Sequence, residues 1–252
     1  MVAILFAAKD NAMKLTVLGK YGPYPKAGGA TSGYLLKTND KIVVLDMGSG
    51  TFSRLSEIIR PETIDALIVS HFHADHAADI PIFAYYLQNL ENRGLFKGKI
   101  KMYCPFSDIA LYKYISSFKY FDIINVSGGA INLGQTRLEF YEMKHPEKCF
   151  GVKVSDGERV FSYTGDTNEC PSLGDLFAGA DAAIADGGLL EKDYKESSPH
   201  LSVKKCIEKS KKWGNRLIIS HLCPAYTDDE IMNEAGIGDK WEIAEERKEY
   251  VL

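Results

Sequence analysis

Four side chains able to bind a metal fall within six residues: His71, His73, Asp75 and His76, in the pattern His-x-His-x-Asp-His. They are imidazoles and a carboxylate, with no thiolate among them. That donor set suits a hydrolytic zinc-type metal, with manganese or iron accepted by the same ligands, and argues against an iron–sulfur cluster. The hexapeptide follows the apolar run Ala66-Leu67-Ile68-Val69-Ser70, which reads as a buried strand. The ligands therefore sit where the carboxyl end of a strand opens into a loop, the place where open α/β sheets put their sites. Three histidines beside an aspartate can also form a polar loop that holds nothing. The chain has six histidines, and three of them fall in this hexapeptide, which favours the metal.

Three further candidates occupy the same kind of position. His145 follows Leu138–Met143, Asp166 in Thr164-Gly165-Asp166-Thr167 follows Val160–Tyr163, and His221 follows Leu217–Ser220. Each alone is a weak signal, because polar residues are common at strand ends. With the hexapeptide they make seven potential ligands of one position type. Cys149, near His145, and Cys223, near His221, are poorer candidates given the ligands beside them. Asp46 and Ser70 read as supporting residues. Asp46 either takes the second N–H of a ligand histidine or structures its own loop.

The elements that must position these groups alternate along the chain. Strands are expected at Lys14–Leu18, Ser32–Thr38, Lys41–Asp46, Ala66–Ser70 and Lys99–Cys104, with helices up to Ile59, over Ala77–Asn92 and over Ser107–Tyr120. The second half repeats the plan. Strands are expected near Ile123–Val126, Gln135–Met143, Phe150–Val154, Arg159–Tyr163, Ala182–Ala185 and Arg216–Ser220, with helices near Ser172–Ala178 and Ser202–Trp213. Sheet-rich stretches punctuated by helices in both halves imply two sheets packed face to face in a layered α/β domain. No break in composition marks a linker, so residues 13–252 read as one domain. The aromatic residues between Tyr85 and Phe121 fit helix core better than the lining of a pocket.

Composition bounds the rest. The chain has 252 residues, 45% hydrophobic and 25% charged, as in ordinary soluble globular proteins. A net charge of −4 leaves no global basic field for nucleic acid, although a local basic face is compatible with it. Five scattered cysteines (Cys104, Cys149, Cys170, Cys206 and Cys223) without Cys-x-x-Cys spacing fit a reducing cytoplasm better than a disulfide framework. No apolar run approaches the ~18 residues of a membrane span. Met1–Ala12 lacks a basic region and a cleavage site, and reads as a leader, an expression remnant or a mis-assigned start.

Asp46-Met47-Gly48-Ser49-Gly50, the hexapeptide, His145, Gly165-Asp166-Thr167 and His221, in that order, resemble the metallo-β-lactamase superfamily over Met13 to about Tyr226. The resemblance implies a single-domain, four-layer αββα sandwich. It implies that His71, His73 and His145 hold one divalent metal ion, that Asp75, His76 and His221 hold a second, and that Asp166 bridges the two. Asp166 separates the chain from the β-lactamases themselves, which lack that aspartate. His73 separates it from flavo-diiron proteins, which carry a glutamate there. Glyoxalase II and the lactonases share the ligand set.

Ser198-Pro199-His200-Leu201-Ser202, followed by a helix and the strand ending at His221, resembles an element of ribonuclease Z and its phosphodiesterase relatives. In those proteins such a histidine is not a metal ligand; it steadies the phosphate and protonates the leaving oxygen. By resemblance Asp75 and His200 are thus the catalytic residues. From the residues alone, His200 can equally be a bystander next to a helix cap. The likeness is closest to the short bacterial members of this branch. The tRNA-gripping arm has no room between His145 and Phe150, and the loop Tyr21–Lys26 lacks the expected Arg-Asn pair. Expected substrates are therefore cyclic nucleotides, small phosphodiesters or RNA, with homodimers common among the relatives. Hydrolysis of a thioester or lactone is the alternative, and a non-catalytic metal- or nucleic-acid-binding protein a third.

Overall fold

A computed structural model describes residues 12–252; the expected leader, apart from Ala12, lies outside the described residues. The first half contains β1 (Lys14–Gly19), β2 (Gly33–Lys37), β3 (Ile42–Met47), α1 (Thr51–Ile58), β4 (Ala66–Ile68), α2 (Ala74–Ala77), α3 (Ile80–Asn92), β5 (Ile100–Cys104), α4 (Ala110–Ser116) and β6 (Phe121–Asn125). The second contains β7 (Gly129–Leu133), β8 (Thr136–Glu142), β9 (Phe150–Ser155), β10 (Val160–Tyr163), α5 (Ser172–Phe177), β11 (Ala182–Asp186), α6 (Val203–Trp213), β12 (Arg216–Ser220), α7 (Asp228–Ala235), β13 (Trp241–Ile243) and β14 (Glu249–Val251).

The strands form two seven-stranded mixed sheets, ordered β14-β1-β2-β3-β4-β5-β6 and β13-β12-β11-β10-β9-β8-β7. Alternation along the strands sorts their side chains into layers. In β3, Val43 and Leu45 face the other sheet, whereas Val44 and Met47 face the helices. In β12, Ile218 faces the other sheet, and Leu217 and Ile219 face α6 and α7. One apolar cluster thus fills the space between the sheets, and two more lie under α1, α3 and α4 and under α5, α6 and α7. This is the expected αββα sandwich. β3, β4, β5 and β6 run parallel, as do β10, β11, β12 and β13. Their carboxyl ends are where the candidate ligands emerge.

Four expectations need correction. The helix expected over Ala77–Asn92 begins at Ile80 as α3, and the short α2 before it, which overlaps the expected range only at Ala77, was not anticipated. Pro81 near the start of α3 has no N–H to continue a helix from α2, and the Asp79 carboxylate accepts the Phe52 N–H instead of extending the turn. The helix expected over Ser107–Tyr120 shrinks to α4, because the Ser107 hydroxyl accepts the Ile109 N–H and donates to Glu147, which holds the segment before it in a loop. The helix expected from Ser202 starts one residue later, since the Ser202 side chain accepts the Lys205 N–H as a cap. β7, α7, β13 and β14 were not anticipated; β14 returns to pair with β1, closing the edge of the first sheet with the end of the chain.

The aromatic segment is divided. Tyr103, Tyr120 and Phe121 are buried, Tyr86, Phe96, Tyr112 and Phe118 pack half-buried against the core under the helices, and Phe106, Tyr85 and Tyr114 lie on the surface, the last two with their hydroxyls 3.1 Å apart. Among the described residues, no helix is long and apolar enough to cross a membrane.

Candidate metal centre

All six histidines of the chain converge at the carboxyl ends of the parallel strands. His71 and His73 leave the end of β4, and Asp75 and His76 lie in α2. His145 comes from the β8–β9 connection, Asp166 from the end of β10, His200 from the loop before α6, and His221 from the end of β12. Their donor atoms, with those of Asp186, form three overlapping groups that share the Asp166 carboxylate. One is His71, His73, His145 and Asp166; the second is Asp75, His76, Asp166 and His221; the third is Asp166, Asp186, His200 and His221; within each the donor atoms lie within 4.8 Å of one another. The first sheet supplies the hexapeptide and the second supplies the remaining candidate ligands.

The orientation of each ring is set by what stands behind it. The Asp46 carboxylate accepts Ser70 N–H at 2.7 Å and lies 2.7 Å from His76 Nδ1. The hydroxyls of Ser70 and Tyr163 also donate to it. Ser70 Oγ lies 3.1 Å from His71 Nδ1, and the Glu147 carbonyl 3.2 Å from His145 Nδ1. These contacts use the Nδ1 side and turn Nε2 inward. His73 is reversed, with its Nδ1 3.1 Å from His71 Nε2. Asp46 therefore supports a candidate ligand and the motif's own backbone at once. Its backbone, at φ 55°, turns left-handed to bring it there.

Asp186 is a site residue that the sequence reading did not single out. It ends β11, takes the Thr167 N–H (2.9 Å) and Gly188 N–H (2.9 Å), and lies 2.8 Å from His200 Nδ1 and 3.4 Å from His221 Nδ1. The signal that finds His145, Asp166 and His221, a polar residue closing an apolar run, applies to it equally. Tyr163 carried no such signal, being inside a strand. Cys149 is buried 3.8 Å behind His71 Nδ1, away from the donor atoms, and Cys223 joins no metal-binding group among the described residues. All five cysteines are free.

Two approaches of backbone to the site demand glycine. A Cβ on Gly22 would lie 2.0 Å from His221 Nε2, and a Cβ on Gly165, at φ +60°, 2.8 Å from the Ser70 side chain. The Gly/Pro-rich loop thus forms a wall of the site at Gly22. His221 itself adopts a left-handed backbone at φ 57°, a conformation that costs an ordinary residue free energy and is retained where the surroundings enforce it.

Charge and hydrogen bonding test whether these residues suit a metal. Asp46, Asp166 and Asp186 are buried carboxylates, Asp75 nearly so, and among the described residues their ion-pair partners are histidines, with no lysine or arginine. His76 Nε2 and Asp166 Oδ1 are 3.1 Å apart, yet both are buried without a hydrogen-bond partner among the described residues. Burial lowers the pKa of His71 and His145. Burial also opposes charge on His76, but Asp166, Asp46 and Asp75 outweigh it and hold His76 well above the usual imidazole range. His221 is raised against burial in the same way by Asp166 and Asp186, and Asp166, despite burial, is held well below the usual carboxylate range by His221 and His76. The cluster calls for positive charge at its centre, which divalent ions supply.

The fold and this cluster define a class. The chain belongs to the beta-lactamase superfamily, whose domain model matches residues 43–221. It is similar to the probable metallo-hydrolase YhfI of Bacillus subtilis (strain 168), at 29% identity over 229 residues, covering 88% of this chain and 92% of YhfI. The crystal structure of YhfI, a metallo-beta-lactamase fold protein, matches with a TM-score of 0.87 and covers 95% of this chain and 99% of its own. The short form of human tRNase Z (TM-score 0.74, 17% identity, 94% and 98% covered) shares the fold. So does a diphosphatase of the PhnP family (TM-score 0.74, 15% identity, 95% and 98% covered).

Proposed function

We propose that this protein is a metal-dependent phosphodiesterase with a binuclear centre. The carrying observation is the pair His200–Asp186. The first two groups are complete without His200, which shares the third with Asp166, Asp186 and His221 and has its Nδ1 held by Asp186 at 2.8 Å and its ring centroid 4.8 Å from that of His221. Its side chain is 18% exposed, the most accessible of the histidines paired to the buried aspartates. A titratable group so placed, with one nitrogen committed and the other open, fits an acid for a leaving oxygen. The ribonuclease and diphosphatase among the relatives support a phosphorus ester as substrate.

His71, His73, His145 and Asp166 would hold one divalent ion, and Asp75, His76, Asp166 and His221 the other. Zinc fits this donor set best, with manganese or iron accepted. When bound, the ions supply Lewis acidity and an activated water. Asp75, whose carboxylate lies 3.1 Å from His221 Nε2, accepts the proton of the attacking water. As the new bond to phosphorus forms and the bond to the leaving oxygen breaks, His200 delivers a proton to that oxygen. Asp186 keeps the Nδ1 proton in place and stabilises the charged ring. Burial works against that charge, while Asp186 and Asp166 raise the His200 pKa and favour the acid form. We place the protein in the cytoplasm, which its five free cysteines suit, and the family resemblance implies a homodimer, visible as a doubled mass in sedimentation.

The test is hydrolysis of bis(p-nitrophenyl) phosphate beside a thioester and a lactone, each with zinc and with manganese. Phosphodiester cleavage is expected. Acyl hydrolysis without it would make the protein an acyl hydrolase, and inactivity on all three with bound metal would favour a non-catalytic role.

A further inference from the structure

Asn168 lies two residues beyond Asp166, is 1% exposed, and has every polar group engaged. Its side-chain amide donates into three carbonyls of one loop: Lys195 (3.3 Å), Glu196 (3.1 Å) and Ser198. Its side-chain oxygen accepts Glu169 N–H (2.6 Å) and the Tyr194 hydroxyl (2.6 Å). Its backbone N–H donates to Lys144 O at 2.9 Å, beside His145. Two neighbours close the same knot: Lys144 N–H donates to Thr167 Oγ1 (3.2 Å), and Lys144 Nζ to Glu196 O (3.2 Å).

Three loops therefore meet at one buried amide: that of Asp166, that of His145 and that leading into His200. Residues 195–198 belong to no helix or strand. Asp186 orients the His200 ring, and the Ser202 cap holds the backbone after it. Before His200, Asn168 ties the chain to the Asp166 loop at three carbonyls, beside the Lys144 bond to Glu196 and a turn closed between Lys195 and Ser198. Nothing in the metal-binding groups requires an asparagine, and a solvated loop would not need three carbonyls tied to one side chain.

We propose that Asn168 is a positioning residue for the proton donor, fixing the approach of the His200 loop to the loops of His145 and Asp166. The inference rests on the phosphodiesterase reading. Removing the amide takes a donor from each of three carbonyls, leaving Lys144 Nζ on Glu196 and the Ser198 N–H on Lys195, and loosens the segment before His200. The metal-binding groups keep their own supports at Asp46, Ser70 and Glu147. The loss should thus fall on proton donation and not on metal binding.

The experiment compares Asn168→Ala and Tyr194→Phe with the unaltered metal-loaded protein. Tyr194→Phe deletes one bond to Asn168 and keeps the ring, so it serves if Asn168→Ala does not fold. Two phosphodiesters are used, one with a p-nitrophenolate leaving group that needs no proton and one with an alkoxide that does. For Asn168→Ala, kcat on the alkoxide substrate should fall about tenfold or more. KM, metal content and kcat on the p-nitrophenyl substrate should stay within about twofold. Tyr194→Phe should move in the same direction by less, and Asn168→Ala should add little in a His200→Ala background. Independently of activity, hydrogen exchange over residues 194–201 should speed up in both variants. Equal losses on both substrates, or a loss of metal, would make Asn168 a fold residue and overturn the inference, as would unchanged exchange. An unaltered protein that cleaves neither phosphodiester would instead overturn the functional reading, and exchange would still decide whether Asn168 holds the loop.

Discussion

One oxygen of Asp46 faces three donors, from His76, Ser70 and Tyr163, while the other takes the Ser70 N–H. A carboxylate so saturated serves as an anchor, because every hydrogen bond it accepts is buried and costly to lose. Asp46→Asn puts donor hydrogens where acceptors are needed. The expected result is metal affinity about 10–100-fold weaker, read by competition with a chromophoric chelator. His200 makes the opposite prediction. With the two groups proposed to hold the ions complete without it, His200→Ala should keep its metal, read by elemental analysis, while turnover of an alkyl phosphodiester falls about 10²–10⁴-fold. Loss of metal in that variant would make His200 a ligand, and unchanged turnover would make it a bystander.

At the scale of elements, strands deliver the ligands and helix termini hold their loops in register. α7, which follows the loop from His221, begins with a reciprocal cap: Thr227 accepts Glu230 N–H, and Glu230 accepts Thr227 N–H. Glu230 also receives Lys192 Nζ at 2.7 Å, joining α7 to the loop after β11. The Lys192 bond, with those from Thr227, holds the Glu230 carboxyl down at about 2 from its ordinary 4.5. A depressed carboxylate pKa contributes stability above the unfolded value and loses it as pH falls through the folded one. The contribution of this cap should therefore fade between about 4.5 and about 2. Acid melting of Glu230→Gln against the unaltered protein checks it: the difference between the two should be present at neutral pH and vanish near pH 2. The elements most legible in the sequence were those whose apolar runs are bounded by turn residues, as in β1, β10 and β12. α3 was expected three residues early and α2 was missed, because Ala77 and Ala78 read as the start of the helix that follows the hexapeptide. The break depends on Pro81 and on Asp79 bonding to Phe52, 27 residues away in sequence. β13 and β14 are three residues each, too short for periodicity to register.

For the whole molecule, the candidate centre is a joint between the sheets. The first contributes Asp46 and the hexapeptide; the second contributes His145, Asp166, Asp186, His200 and His221. Metal held there ties the halves, and a ligand that binds the folded state alone stabilises it by mass action. With free zinc at about 100 times its dissociation constant, the gain is about 2.7 kcal/mol, or about 5–10 °C in Tm for a domain of this size. Calorimetry with and without a chelator should show that drop, and zinc should restore it; an unchanged Tm would mean that the cluster holds no metal. By itself the sequence determined the ligand types, their strand-end placement and the layered class of fold, because hydrophobic period and donor chemistry are local properties of the chain. Which ligands share a group, that Asp46 serves His76 and Asp186 serves His200, and that Asn168 gathers three loops were decided by tertiary structure alone. The widest of these contacts, Asp75 with His221, joins residues 146 positions apart, and only the packing of two sheets, carboxyl ends together, brings such groups within hydrogen-bonding distance.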